Sequence, residues 1–166
     1  MSDETSTPVA QQAAPEASQN DLVLQNIYIK DASFEAPNGP NLQVTEWNPQ
    51  FGMNMNTSAS LVAENAHEVV LSITLEAKVG DKVAYLAEVK QAGLFVIRGF
   101  EVDDLRRILG SFCPNTLFPY VRAAISDLVA KGGFPPFLLP PVNFDQLFAQ
   151  SMDAAARQQA EQGTVN

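Results

Sequence analysis

Few residues in this chain could carry covalent or acid–base chemistry. His67 is the one histidine and Cys113 the one cysteine. Together they could supply a base and a nucleophile, but such a pair needs a third group to orient the base, and no local signature offers one. His67 opens a strand-like stretch and Cys113 lies between Phe112 and Pro114 at a helix end, so packing explains both. A lone His and a lone Cys do not form the ligand cluster that a metal requires. No GxxxxGK[ST] or GxGxxG segment is there to cradle phosphates. Asp103 and Asp104, just before LRRILGSFC, suit the positive end of a helix better than acid–base work. The expectation is a protein without catalytic residues, metal or cofactor. A small hydrolase using Cys113 is the enzymatic alternative.

The residues with recognition chemistry are apolar. Phe51, Met53 and Met55 alternate with Gly52, Asn54 and Asn56, so one face of a strand carries an aromatic ring and two thioethers. Methionine adapts to many shapes, which suits promiscuous binding. Phe144, Leu147, Phe148 and Met152 recur at i, i+3, i+4 and i+8, an apolar stripe on a helix. Composition alone lets either set serve as core.

The elements that must position these residues follow from pattern. In LVLQNIYIKDASFEA the apolar phase set by Leu22 and Leu24 shifts by one residue at Ile27 and Ile29, which predicts a strand with a bulge. APNGPNLQVTEWNP reads as a long loop, with Leu42, Val44 and Trp47 as its tethers to the core. HEVVLSITLEAKV places Val69, Leu71, Ile73, Leu75 and Ala77 on one face. The turn from Val79 to Lys82 leads into VAYLAEVKQAGLFVIRG, which predicts an antiparallel hairpin. A short helix over LRRILGSFC is expected to stop before Pro114, with Asn115 capping a second helix that ends at Lys131-Gly132-Gly133. FPPFLLPP is a rigid connector, and a last helix starts near Asn143. The fold class is α+β: one four-stranded antiparallel sheet with two main C-terminal helices.

The chain has 166 residues, enough for one domain with a real core, and carries 19 acidic against 10 basic residues for a net charge of -9. That acidity argues against a nucleic-acid backbone or an anionic membrane surface as partner. One cysteine allows no internal disulfide, which fits a reducing cytosol. The start lacks the basic and apolar regions of a signal peptide, and no apolar run reaches the roughly 18–20 residues of a membrane span. The expected organisation is a disordered polar tail over 1–20, a domain over 21–160 and a flexible tail over 161–166. The expected location is the cytoplasm.

IYIKDASFEAPN, SFCPNTLFPYVRAAISDLV, GGFPPFLLPPVNFDQLF and the hairpin leading to QAGLFVI resemble the signature segments of the SecB family, in family order over most of residues 22–150. The resemblance implies an ATP-independent export chaperone that keeps secretory precursors unfolded and passes them to the SecA ATPase. It also implies a homotetramer, a dimer of dimers in which paired protomers join edge strands. Asp31, Glu35, Leu86 and Glu88 are then expected on the outer surface used by SecA, with Lys90 diluting the charge beside Glu88. Tyr85, Ala87, Val89 and Gln91 are expected toward the oligomer interior. Trp47, Phe51, Met53, Met55, Phe137, Phe144, Leu147 and Phe148 are expected to line the client groove. The family's C-terminal contact to SecA finds little here, since Glu161 is the only carboxylate side chain after Asp153. A scaffold of the same fold that binds one partner, such as a toxin–antitoxin component, is the alternative function.

Overall fold

The computed structural model describes residues 20–39 and 46–163, with side chains described as far as 160. The expected tail over 1–20 lies outside that set except for Asn20, as do Leu42, Val44 and residues 164–166. Four strands, β1 (Asp21–Glu35), β2 (Gln50–Ala63), β3 (Ala66–Val79) and β4 (Lys82–Arg98), form one antiparallel sheet in the order β1-β4-β3-β2. The helices follow: α1 (Val102–Arg107), a π-helical turn (Ile108–Phe112), α2 (Cys113–Lys131) and α3 (Phe144–Gly163).

The bulge read from the phase shift in β1 is present between Leu24 and Asn26, and a second irregularity separates Ile29 from Asp31. β3 buries Val69, Leu71, Ile73, Leu75 and Ala77, the set picked out by alternation. β2 runs seven residues beyond the FGMNMN stretch. It turns into β3 through Glu64 and Asn65, and Asn65 takes the left-handed conformation (φ 58°) that a two-residue hairpin turn requires.

α2 lies across β4 and β3 and buries Leu117, Phe118, Val121, Ile125 and Val129 on the sheet's inner face. Truncating one of the large aliphatic side chains here to Ala would cost about 2–5 kcal/mol. Asp103 and Asp104 do occupy the first turn of α1. Helicity does not stop before Pro114, however, and Asn115 is not a cap: Phe112 and Cys113 are both helical, and α1 runs through the π-helical turn into α2. A proline conflicts with the carbonyl four residues earlier. For Pro114 that residue is Gly110, inside the widened turn, where the regular hydrogen-bond ladder is already interrupted.

α2 ends as expected at Lys131, with Gly133 left-handed (φ 81°) and the Gly132, Gly133 and Phe134 amides donating back to Leu128, Ala130 and Val129. Residues 134–143 carry no regular structure, yet Phe134 and Leu139 are buried in the core. Asn143 caps α3, its side-chain oxygen accepting from the Gln146 amide at 3.0 Å. α3 continues to Gly163, three residues into the stretch read as a tail.

Candidate functional site

The sheet's outer face gathers the acidic residues. Residues paired across antiparallel strands point to the same side, and the register pairs Asp31 with Lys90, Ser33 with Glu88 and Glu35 with Leu86. Asp31, Glu35, Leu86 and Glu88 therefore share one face. Lys90 sits between two of the carboxylates, 3.4 Å from Asp31 and 3.5 Å from Glu88. Hydrogen bonding to Asp31 and then Glu88 raises the Lys90 ammonium above its ordinary pKa, so this cation stays charged. Among the described residues no cation pairs with Glu35. Thr74 donates to Glu88 at 3.2 Å, which restrains the carboxylate's orientation.

Farther along this face, Lys30 donates to Glu68 at 2.6 Å and the Tyr28 hydroxyl donates to the other oxygen of the same carboxylate. These donors, Lys30 foremost, hold the Glu68 carboxyl below its ordinary pKa, while donation to Glu68 holds the Tyr28 phenol above its own.

The inner face behaves differently at its β2 edge. Phe51, Met53 and Met55 pair with Ala77, Leu75 and Ile73, whose side chains are fully buried. α2 covers β3 and β4, whereas Phe51 and Met53 remain 43% and 44% exposed. Phe51 packs at a tilt against Phe137 of the connector, ring centroids 4.2 Å apart. Beyond Met55 opens a cavity of about 660 Å³ between β2, the π-helical turn and α3. Met55, Leu109, Gly110, Phe144, Leu147, Phe148 and Met152 supply its apolar lining, and Arg106 and Asn56 are among its polar residues.

Phe144 is nearly buried, its ring set edge-on to Phe118 at 5.7 Å, so it anchors α3 as well as lining the cavity. Asp145 adds a polar tie, accepting from Ser111 at 2.9 Å and from Arg107 at 3.4 Å.

Trp47 does not line this cavity. It belongs to an aromatic cluster with Tyr85 (6.5 Å) and Phe134 (5.4 Å), and Phe34 stacks on the same tyrosine at 5.6 Å. The eight residues expected in one groove thus form three neighbourhoods: Trp47 with its cluster, the Phe51–Phe137 pair beside Met53, and the cavity under α3. Pattern reading passed over Phe34, Phe134, Leu109 and Gly110. Strand parity could have found Phe34, which pairs with Ala87 on the inner face. Nothing in the local sequence marks the other three.

Tyr85, Ala87 and Val89 have no exposed surface within the chain and Gln91 only 3%, so these side chains are covered by the chain's own elements. Gln91 donates to the Tyr28 carbonyl at 2.9 Å. The Tyr85 hydroxyl is buried without a hydrogen-bond partner, and burial pushes its pKa up to about 12. Cys113 is likewise wholly buried, its thiol pushed up to about 12 by desolvation, and a thiol in that state is no nucleophile near neutral pH. Among the described residues no three His, Cys, Asp or Glu side chains come together as metal ligands. No described helix is long and apolar enough to cross a membrane.

Residues 15–155 match the family described as SecB, preprotein translocase subunit. A protein-export protein SecB of Nitrosococcus oceani is 51% identical over 142 residues, which cover 84% of this chain and 87% of that protein. The one from Marinobacter nauticus is 49% identical over 144 residues, covering 86% and 87% of the two chains. That of Pseudomonas fluorescens is 42% identical over 165 residues, 99% of each chain. Among solved structures, a SecB-like chaperone of Mycobacterium tuberculosis in complex with a ChAD peptide from an antitoxin shares the fold. Its TM-score is 0.61 at 16% identity, over 73% of this chain and 90% of that one.

Proposed function

Since the chain belongs to the SecB family and serves preprotein export as a chaperone, we propose that it holds unfolded secretory precursors along the β2 edge and under α3 and delivers them to SecA. The observation that carries this reading is the half-exposed row of Phe51 and Met53, continuous with the Met- and Phe-lined cavity on an otherwise acidic chain. An unfolded polypeptide exposes short apolar segments, and such a surface buries them without demanding one sequence. Trp47, Phe137, Phe144, Leu147 and Phe148 complete the proposed client surface.

Asp31, Glu35, Leu86 and Glu88 form the proposed SecA contact, three carboxylates around one leucine. The proposed assembly is a dimer of dimers in the cytoplasm. β1 supports it, as a fifteen-residue edge strand with exposed Val23 and Ile29, and so does the long helical run, which leaves Phe112 and Tyr120 exposed. Tyr85, Ala87, Val89 and Gln91, covered within the chain, act on that assembly only indirectly, through the packing of the elements that cover them. The reading includes no catalytic step and no cofactor, in keeping with the buried Cys113 thiol. Identity near 50% to export proteins, against 16% to the chaperone bound to an antitoxin peptide, leaves a single-partner scaffold unfavoured.

The deciding experiment follows the refolding of a slow-folding precursor with and without stoichiometric protein, alongside several unrelated unfolded chains. Arrest of all of them, with their folded forms ignored, is expected. Capture of one folded partner alone would overturn the reading.

A further inference from the structure

We infer that Gly110 is a positioning residue for client capture: lacking a side chain, it seats the Phe148 ring directly on the π-helical turn and so fixes how far α3 stands from β2. The inference rests on the groove reading above and adds a residue that need not touch the client.

A Cβ at Gly110 would lie 2.5 Å and 2.8 Å from two ring carbons of Phe148, well inside the ~3.5–4.0 Å at which carbons pack. Glycine is a much poorer helix former than alanine, and its presence midway in a continuous helical run is matched by a contact that only it allows. Phe148 is that contact. Both residues line the 660 Å³ cavity, whose far wall is Met55 of β2.

Phe144 on Phe118 and Asp145 on Ser111 tie the first turn of α3, and Phe148 belongs to the next turn. The depth of its seat therefore sets the angle at which α3 leaves the body, and with it the groove's width. The same device recurs at the other end of α2. There a Cβ on Gly132 would overlap the ring of Phe34, which stacks in the cluster holding Trp47. Each end of the long helix thus carries a glycine bearing an aromatic ring, and each ring belongs to one end of the apolar surface.

The test compares Gly110→Ala, Phe148→Ala and the double variant in the full chain. Hydrogen exchange across residues 147–152 reports α3 docking, and titration with a permanently unfolded, thiol-blocked polypeptide reports capture. Gly110→Ala is expected to speed α3 exchange and weaken capture about tenfold, although alanine is the better helix former. The double variant is expected to be no weaker than Phe148→Ala, because the added methyl then meets no ring. Unchanged exchange and capture in Gly110→Ala, or additive losses in the double variant, would overturn the inference. If Gly110→Ala does not fold, a folded double variant still identifies the conflict between methyl and ring, and a double variant that also fails overturns it. Leu147→Ser separates the two readings. If it weakens capture while Gly110→Ala does not, only the seat is wrong; if neither does, the groove reading fails as well.

Discussion

The ammonium of Lys90 stands 3.4 Å from the Asp31 carboxylate across the β1–β4 pair, so the sheet's acidic face carries its own internal cation. Exposed pairs of this kind are screened by solvent and contribute little, so the effect on a charged partner should be modest and dependent on salt. Lys90→Gln is expected to tighten SecA binding several-fold at low ionic strength. Reversal of Asp31 and Glu35 to Lys is expected to weaken it while leaving client capture intact. Calorimetric titration across a salt series checks both, and indifference to salt and to reversal would reduce the patch to a solvated face.

The proposed client surface is distributed, so single changes should cost little. Each buried apolar side chain contributes about 1.5–3 kcal/mol before ordering costs are counted. Met53→Ala is expected to leave holdase activity nearly unchanged. Phe51, Met55 and Phe148 replaced together by Ser should abolish it, since several weak contacts along one chain reinforce each other. Suppression of precursor aggregation is the assay, with circular dichroism and oligomer mass as controls. A folded, fully active triple variant would remove these residues from the client surface.

Tyr85 buries a hydroxyl that has no partner. An unsatisfied buried polar group costs about 1–3 kcal/mol, and its removal without change of shape is neutral or stabilising. Tyr85→Phe is expected to raise the urea midpoint. A fall of more than about 1 kcal/mol would mean that the hydroxyl has a partner in the assembled protein.

Ala87 lies fully buried on the strand that α2 crosses. Ala87→Leu should overpack the site at a cost of about 1–3 kcal/mol and lift α2, weakening the proposed assembly while the strands persist. Light scattering at falling concentration, paired with circular dichroism, reads the two effects separately. An unaltered mass and an unaltered midpoint would show that α2 accommodates the side chain without moving.

Glu68 provides a pH test with a defined sign. Its folded pKa lies below the ordinary 4.5, so its stabilisation is present above 4.5 and is lost as pH falls through the lower folded value. The stability gap between the native chain and Glu68→Gln should therefore be open near neutrality and close on acidification. Tyr28 has the opposite sign. Its phenol is raised above 10.0, so its contribution is present below 10.0 and is lost as pH rises through the folded value. Denaturant midpoints across both ranges check this, and a gap independent of pH would dissociate the cluster from stability.

Period-two alternation determined by itself that β3 buries Val69, Leu71, Ile73, Leu75 and Ala77, and the phase shift between Leu24 and Ile27 determined the bulge in β1, because side-chain direction in a strand follows directly from sequence spacing. The glycine pair after Lys131 and the start of the last helix near Asn143 were legible for the same local reason. The signature segments of the family were legible too, and with them the chaperone function. Pro114 misled, since a local rule ends helices near proline and only the π-helical turn, held in tertiary packing, lets this one continue. The division of the apolar residues into three neighbourhoods was likewise invisible in the chain. Trp47 and Phe134, or Phe51 and Phe137, are brought together by the path of the connector over the sheet. Gly110 and Phe148 stand 38 positions apart, and neither residue type announces the other. Their contact exists because α3 folds back over the π-helical turn, a long-range closure that no local pattern encodes.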